Sequence, residues 1–184
     1  MIHLVRIGAD VAVETVDELA AALARELGES CHVRPDPVDP AFAFDPVRNQ
    51  YHATSILRAM TSMTQGERLL GIASVDLYVP IFTFVFGEAQ VSGHCALVSL
   101  ARLRQEYYGL PSDRRLTAER LLKEALHELG HTYGLRHCHD WSCPMASSTS
   151  IERMDLKNRR YCLRCHGAVR GAAPLLAPPS PRFP

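Results

Sequence analysis

Apolar residues recur along the chain at strand spacing and at helix spacing in alternation. Residues 3–8 predict a short strand, and residues 11–27 predict a helix that ends at Gly28. The same order follows in residues 31–34, a second predicted strand, and residues 51–63, a second predicted helix. Alternation of strands and helices is typical of an α/β sheet layer, so the pattern predicts that fold class.

The centre of the chain carries the most strongly β-favouring runs. Residues 69–78 predict a buried strand, and residues 82–86 and 96–100 predict two more. Between the last two runs lies a glycine-containing segment, residues 87–93, which we interpret as a hairpin or an edge strand. A long helix is then predicted over residues 117–133, because its apolar residues fall on one stripe and a glycine follows it.

Length and charge limit the class of protein. A chain of 184 residues fits one domain, which we place at residues 1–170, and the Pro-rich residues 171–184 are expected to form a mobile tail. Lysine plus arginine number 20, as do aspartate plus glutamate, so no net charge attracts the chain to nucleic acid or to an anionic membrane. We expect neither as a partner, and we expect a monomer.

The N-terminal residues lack the pattern of a secretory signal, because their apolar start turns polar by Asp10. No stretch of the sequence approaches the roughly 20 apolar residues that a membrane span needs. The expected location is therefore the cytoplasm. In that reducing compartment, closely spaced cysteines bind metal more often than they form disulfides.

Residues 127–131 read His-Glu-Leu-Gly-His, in which two histidines are four residues apart. On the predicted helix this spacing places His127 and His131 on one face, one turn apart, where both imidazoles can bind the same zinc ion. Catalytic zinc sites keep one position for water, whose pKa the ion lowers to about 7. Glu128 lies beside the first histidine, and we predict that it is the general base.

A third ligand is offered by His137, six residues after His131. Gly134 lies between them and can adopt the left-handed conformation that turns the chain back toward the metal. Any one histidine alone would be read as an ordinary surface or core imidazole, and Glu128 alone as a solvated helix residue. The complete pattern, H-E-x-x-H-x-x-G-x-x-H, favours a catalytic zinc site instead.

Four cysteines further along form two closely spaced pairs, Cys138 with Cys143 and Cys162 with Cys165. Four thiolates at this spacing predict a closed structural zinc site, which would replace an apolar core in this segment. The alternatives are two disulfides, four unrelated thiols, or a redox pair formed by the last two cysteines.

Other metal-binding residue types in the chain are weaker candidates. His139 and His166 are possible substitute ligands, but four thiolates already fill the coordination shell of the structural site. Cys31 and Cys95 lie in predicted strands, and we interpret them as small buried hydrophobic residues.

The zinc motif, the four cysteines and Met145, which stands between the cysteine pairs, together resemble the archaemetzincins, a family of metzincin-related metallopeptidases. The resemblance covers roughly residues 3–168. It implies one compact domain with a twisted mixed sheet, an active-site helix and a zinc-stabilised C-terminal part. It also implies that Met145 forms a hydrophobic floor under the three imidazoles, although an ordinary core methionine would give the same sequence.

Metzincins place an antiparallel edge strand over the cleft, where it pairs with the extended substrate. By resemblance, residues 82–90 are the candidate for that strand. A sheet edge has unpaired backbone groups that suit peptide binding by strand addition. A purely structural strand is the alternative.

The sequence thus predicts a zinc-dependent metallopeptidase that binds two zinc ions per chain, one catalytic and one structural. Its substrate would be a peptide or a protein, hydrolysed by a zinc-activated water with Glu128 as the general base. The alternative is a catalytically inactive, zinc-stabilised module that binds peptides. Such a module would need a blocked cleft or a fourth protein ligand on the metal.

Overall fold

Eight strands and five helices make up residues 1–171, the part of the chain that the computed structural model describes. The strands are β1 (Ile2–Ile7), β2 (Cys31–Val33), β3 (Phe44–Asp45), β4 (Gln50–His52), β5 (Arg68–Ala73), β6 (Leu77–Tyr78), β7 (Gly87–Ala89) and β8 (Cys95–Ser99). The helices are α1 (Val13–Leu27), α2 (Ala53–Thr61), α3 (Arg114–Thr132), α4 (Ile151–Asp155) and α5 (Leu163–Val169). Two short 3-10 helices are also present, Ala41–Ala43 and Gln105–Tyr108.

Five of the strands form the main sheet, in the order β2-β1-β5-β8-β7. The first four are parallel, and β7 runs antiparallel at one edge. The side chains of β8 are buried along its whole length, as expected for a strand whose sheet is covered by helices on both faces. The predicted α/β fold with a twisted mixed sheet is therefore confirmed.

The helices divide the apolar core between the two faces of the main sheet. α1 and α3 pack on one face and α2 packs on the other. In β5, Leu70 and Ile72 belong to the first cluster while Leu69 and Ala73 belong to the second. Successive side chains of a strand point to opposite faces, so the central strand contributes to both clusters. α3 is thereby fixed against the sheet along one side.

The prediction of one continuous strand over residues 69–78 is wrong. β5 ends at Ala73, and β6 belongs to a separate three-stranded sheet of order β3-β4-β6. Between them, the carboxylate of Asp76 accepts hydrogen bonds from Arg102 at 2.7 and 2.8 Å and from Gln50 at 2.9 Å. These polar contacts hold the chain in a bend that the local apolar pattern does not reveal.

The strand predicted over residues 82–86 is also wrong. Val85 forms an isolated antiparallel bridge to β6, and the carbonyl of Phe86 accepts a hydrogen bond from the Ser99 N–H at 2.8 Å, but no regular strand forms. The carbonyl oxygens of Phe82 and Thr83 accept hydrogen bonds from the guanidinium of Arg48, at 2.9 and 3.3 Å, rather than from a neighbouring strand. The regular edge strand is β7 alone, which is shorter than the predicted candidate, residues 82–90.

The start of the active-site helix α3 is set by a capping residue. α3 begins at Arg114, earlier than predicted, because the carboxylate of Asp113 accepts a hydrogen bond from the Leu116 N–H at 2.9 Å and caps the helix.

The predicted tail, residues 171–184, lies outside the described residues except for Gly171. Within the described residues, no helix is both long enough and apolar enough to cross a membrane.

Candidate metal centre and catalytic cleft

Three of the predicted site residues lie on the C-terminal turns of α3. His127 and His131 project from the same side of the helix, and their Nε2 atoms are 3.2 Å apart. Donors at about 2.0–2.1 Å from a tetrahedral zinc ion would be roughly 3.3 Å from one another. The spacing of four residues therefore brings two imidazole nitrogens to a distance that suits a shared ion.

The chain reverses directly after α3 and returns the third histidine to the same place. Gly134 has φ of 85°, in the left-handed region. Its N–H donates to the carbonyl of His131 at 2.9 Å, and the Leu135 N–H donates to the carbonyl of Gly130 at 3.0 Å. After this turn, a ring nitrogen of His137 lies within 4.8 Å of those of the two helical histidines.

Backbone carbonyls fix the orientation of the two helical imidazoles. Nδ1 of His127 lies 2.8 Å from the carbonyl oxygen of Pro144, and Nδ1 of His131 lies 2.8 Å from that of Leu135. A carbonyl only accepts, so each Nδ1 carries the proton and each Nε2 keeps a free lone pair for a metal. Burial lowers the pKa of all three histidines, most strongly that of His127. A neutral triad of this kind fits zinc.

Glu128 lies in a narrow space between α3 and β7. A Cβ atom added to Gly87 would be 2.7 Å from Cγ of Glu128 and 2.8 Å from its Oε1. Only glycine at this position of the edge strand leaves room for the carboxylate. Burial raises the pKa of Glu128 well above its usual range, and the nearby charges of Glu124 and Glu88 raise it further.

A cavity of about 440 Å³ opens above the histidines and Glu128. Part of its wall is formed by the irregular segment before β7 and by β7 itself. Another part is formed by residues 147–149, shortly after Met145 in the chain. The lining residues are 82–89, Val91, Glu124, His127, Glu128, His131, His137 and 147–149. The cavity is large enough for a short segment of peptide next to the three donors.

Met145 lies against the active-site helix and is fully buried. A Cβ atom added to Gly130 would overlap the sulfur of Met145 and lie 3.2 Å from the hydroxyl of Tyr161. That hydroxyl donates to the carbonyl of Leu126 at 2.5 Å. Gly130, between the two helical histidines, therefore allows Met145 to approach the helix backbone. Its role as a floor beneath a metal remains a prediction.

The four predicted cysteines form a second group of donors. All six cysteines of the chain are free thiols, so the group contains no disulfide. The four sulfur atoms lie within 4.8 Å of one another, and those of Cys138 and Cys162 are 3.9 Å apart. Four thiolates at about 2.3 Å from a tetrahedral zinc ion would be roughly 3.8 Å apart. The members are Cys138, Cys143, Cys162 and Cys165.

The other candidate ligands lie outside this group. His139 is exposed, and neither it nor His166 belongs to the donor cluster. Cys95 is buried in β8 as expected, whereas Cys31 in β2 is only partly buried. The cysteine group is tied to the histidine site by the backbone, because the Cys138 N–H donates to the carbonyl of Met145 at 2.9 Å.

The sequence reasoning missed three charged residues at the site. Glu124 and Glu88 line the cavity, and Glu88 accepts hydrogen bonds from the hydroxyl of Thr54 at 2.8 and 3.0 Å. Lys157 is buried, and its Nζ donates to the carbonyl of Pro144 at 3.0 Å. Helical spacing alone points to Glu124, since it precedes Glu128 by one turn of α3.

Comparisons with known proteins identify the class. Residues 31–170 match the model of Peptidase family M54. The archaemetzincin of Methanocaldococcus jannaschii is 40% identical over 168 residues, which cover 90% of this chain and 93% of that protein. The crystal structure of archaemetzincin from Methanopyrus kandleri is 36% identical, with a TM-score of 0.80 and 92% of each chain covered. A zinc-dependent peptidase from Methanocorpusculum labreanum is 30% identical, with a TM-score of 0.82 over 92% of this chain and all of that chain (100%).

Together, the fold and these likenesses define a zinc-dependent metallopeptidase. The chain belongs to peptidase family M54, the family of the archaemetzincins, and the resemblance stated from the sequence is confirmed. Its substrates are accordingly peptides or proteins.

Replacement of Gly130 by alanine is expected to destabilise the protein. Alanine favours a helix by about 1 kcal/mol over glycine, but here the added methyl group overlaps Met145. Overpacking of this kind costs about 1–3 kcal/mol, so the free energy of unfolding in urea should fall. The control is Ala118→Gly, at an exposed position of the same helix, which should cost about 1 kcal/mol. A Gly130→Ala variant as stable as the parent would show that Met145 does not need this close approach.

Proposed function

We propose that this metallopeptidase hydrolyses peptide bonds at a zinc ion held by His127, His131 and His137, with Glu128 as the general base. The observation that supports this most directly is the convergence of three imidazole donors next to a buried carboxylate in one cavity. Zinc at this site would supply an activated water and polarise the scissile carbonyl. The donor set of three neutral imidazoles is the kind that leaves a position for such chemistry.

Glu128 would move the proton during the reaction. Its carboxylate accepts a proton from the attacking water and returns that proton to the leaving nitrogen. The side chain reaches the same cavity as the histidines, and Gly87 confines it on the side of the edge strand. A confined base loses little orientational freedom when the substrate binds, which favours the proton transfer.

The edge strand supports substrate binding by strand addition. β7 is hydrogen-bonded to β8 through the carbonyl of Phe86 at 2.8 Å and the N–H of Gln90 at 3.0 Å. In an antiparallel ladder, this alternation directs the peptide groups of Gly87 and Ala89 away from β8. Because β7 also lines the cavity, we propose that these free groups pair with the backbone of an extended substrate.

The cysteine group would hold a second, structural zinc ion within a catalytic domain formed by residues 1–170. Its first member, Cys138, directly follows His137, and its N–H is bonded to the carbonyl of Met145. A metal fixed there would restrain the segment that carries the third histidine. We propose that Gly134 and Met145 have supporting roles at the catalytic site, as the turn and the hydrophobic floor.

Substitution of Glu128 by glutamine should leave zinc binding intact and lower kcat by about 10²- to 10⁴-fold, because the amide cannot accept the proton. Cleavage of a peptide library by mass spectrometry and zinc content by elemental analysis are the measurements. The control is Glu119→Gln, at a partly exposed residue of α3 that pairs with Arg115 and Arg159 outside the cavity. Parental turnover in the Glu128 variant would remove its assigned role. A parent that binds but never cleaves library peptides would favour the inactive binding module.

Substitution of Cys165 by serine should reduce the zinc content from two ions per chain to one. The loss of a closed structural site should also lower the Tm by about 5 °C or more. Cys31→Ser is the control, because Cys31 is a partly buried thiol outside the cysteine group and should leave both ions in place. Two ions in the Cys165 variant would contradict the proposed site.

A further inference from the structure

Glu88 is the middle residue of the edge strand β7, and its half-buried side chain lines the cavity. The hydroxyl of Thr54, in α2, donates to its two carboxylate oxygens at 2.8 and 3.0 Å. A hydroxyl has one hydrogen, whereas an ionised carboxylate has about four lone-pair sites that accept hydrogen bonds. Thr54 therefore fixes the direction of the Glu88 side chain and occupies a small part of its capacity to accept.

No cation in the described part of the chain is paired with Glu88. The ion pairs found within residues 1–171 do not include it, and no lysine or arginine of these residues lines the cavity. Arg58, one turn after Thr54 on α2, is exposed and takes part in none of these ion pairs. A charge that is partly removed from water costs free energy unless an opposite charge compensates it. A ligand that brings a cation into the cavity would supply that compensation.

Glu88 and the proposed general base lie on opposite faces of β7. Successive side chains of a strand point to opposite faces. A Cβ atom at Gly87 would point at Glu128 in α3, whereas the side chain of Glu88 meets Thr54 in α2. A peptide bound along the edge of β7 would therefore meet the general base on one face and Glu88 on the other.

The backbone register of β7 determines which substrate side chain meets Glu88. Glu88 pairs with Leu97 of β8, and the hydrogen bonds of the flanking residues place this pair among the hydrogen-bonded ones. The peptide groups that face away from β8 are those of Gly87 and Ala89, on either side. In a substrate antiparallel to β7, the residue opposite Glu88 is then in a non-hydrogen-bonded pair, with Cα atoms about 4.5 Å apart and side chains close together. Opposite charges in such a pair attract each other.

We propose that Glu88 is a specificity-determining residue, which selects a lysine or arginine side chain at the substrate residue that faces it. This inference rests on the proposed function, because it presupposes a substrate strand paired with β7. Glu128 lies against Gly87, the neighbouring residue of β7, so the selected position is within about two residues of the scissile bond. The substrate residues on either side of that position point to the other face and have no such preference.

Matched peptides test the charge without a change of shape. Arginine, or its uncharged analogue citrulline, is placed at each position in turn of a host peptide that is acetylated at its N-terminus and amidated at its C-terminus. Mass spectrometry of the products locates the scissile bond. At one position, we expect the parent to show kcat/KM at least about 5-fold higher for arginine than for citrulline. The ratio should fall as the ionic strength rises, since salt screens the charge pair.

Two variants test whether Glu88 supplies this preference. In Glu88→Gln the amide oxygen still accepts from Thr54, so Tm and zinc content should match those of the parent, while the ratio should fall to within about 2-fold of unity. Glu88→Lys should reverse the charge preference, so that glutamate at the same position is cleaved faster than glutamine. The control is Glu119→Gln, outside the cavity on α3, which should keep the parental ratio.

The outcomes distinguish this inference from the function on which it rests. If the parent cleaves arginine and citrulline peptides equally at every position, or if Glu88→Gln keeps the parental ratio, the inference alone is wrong. Cleavage of peptides with a free N-terminus but of no acetylated peptide would also contradict it, because the selected cation would then be the terminal amine. If the parent cleaves nothing, the proposed hydrolysis is wrong. Calorimetric titration of the zinc-loaded protein with the same peptides then decides the inference, and equal affinity for arginine and citrulline at every position would overturn it.

Discussion

Three imidazole nitrogens can meet at one point here only because the chain reverses between His131 and His137. The left-handed conformation of Gly134 and the hydrogen bond from its N–H to His131 make that reversal within a single turn. Ser92 supports the turn from the side of the sheet, since its N–H donates to the same carbonyl at 2.9 Å. The histidine site and the cysteine group both follow from this reversal, because His137 and the first cysteine are consecutive residues.

The active-site helix combines two opposing requirements. One side must pack against the sheet, and that side supplies much of the apolar core. The other side buries ionisable groups that apolar packing alone would exclude, among them Glu124 and Glu128. Buried charge costs several kcal/mol per ion unless it is paired or hydrogen-bonded. The buried cation Lys157, in the segment between the two cysteine pairs, is close enough for its charge to favour the ionised form of both carboxyl groups.

Metal-binding motifs and strongly periodic helices can be predicted from the sequence better than irregular segments can. α3 and its zinc motif follow from helical spacing, and the four cysteines follow from their own spacing. The bend at Asp76 and the irregular segment before β7 were not predictable, because Arg48 and Arg102, distant in sequence, supply the hydrogen bonds that replace strand pairing. The burial of Lys157, whose Nζ donates to the carbonyl of Pro144, likewise depends on tertiary folding. Its helical spacing from Glu128 could have pointed to Glu124, but only the structure shows that this acidic side chain is buried.

The most direct test is a crystal structure of the zinc-loaded protein with anomalous scattering recorded at the zinc edge. We expect two ions per chain. One should be bound by four sulfur atoms at about 2.3 Å, and the other by three imidazole nitrogens at about 2.0–2.1 Å with its fourth position open to the cavity. An ion at the histidine site with His137 turned away, or with a protein side chain in the fourth position, would contradict the hydrolytic mechanism.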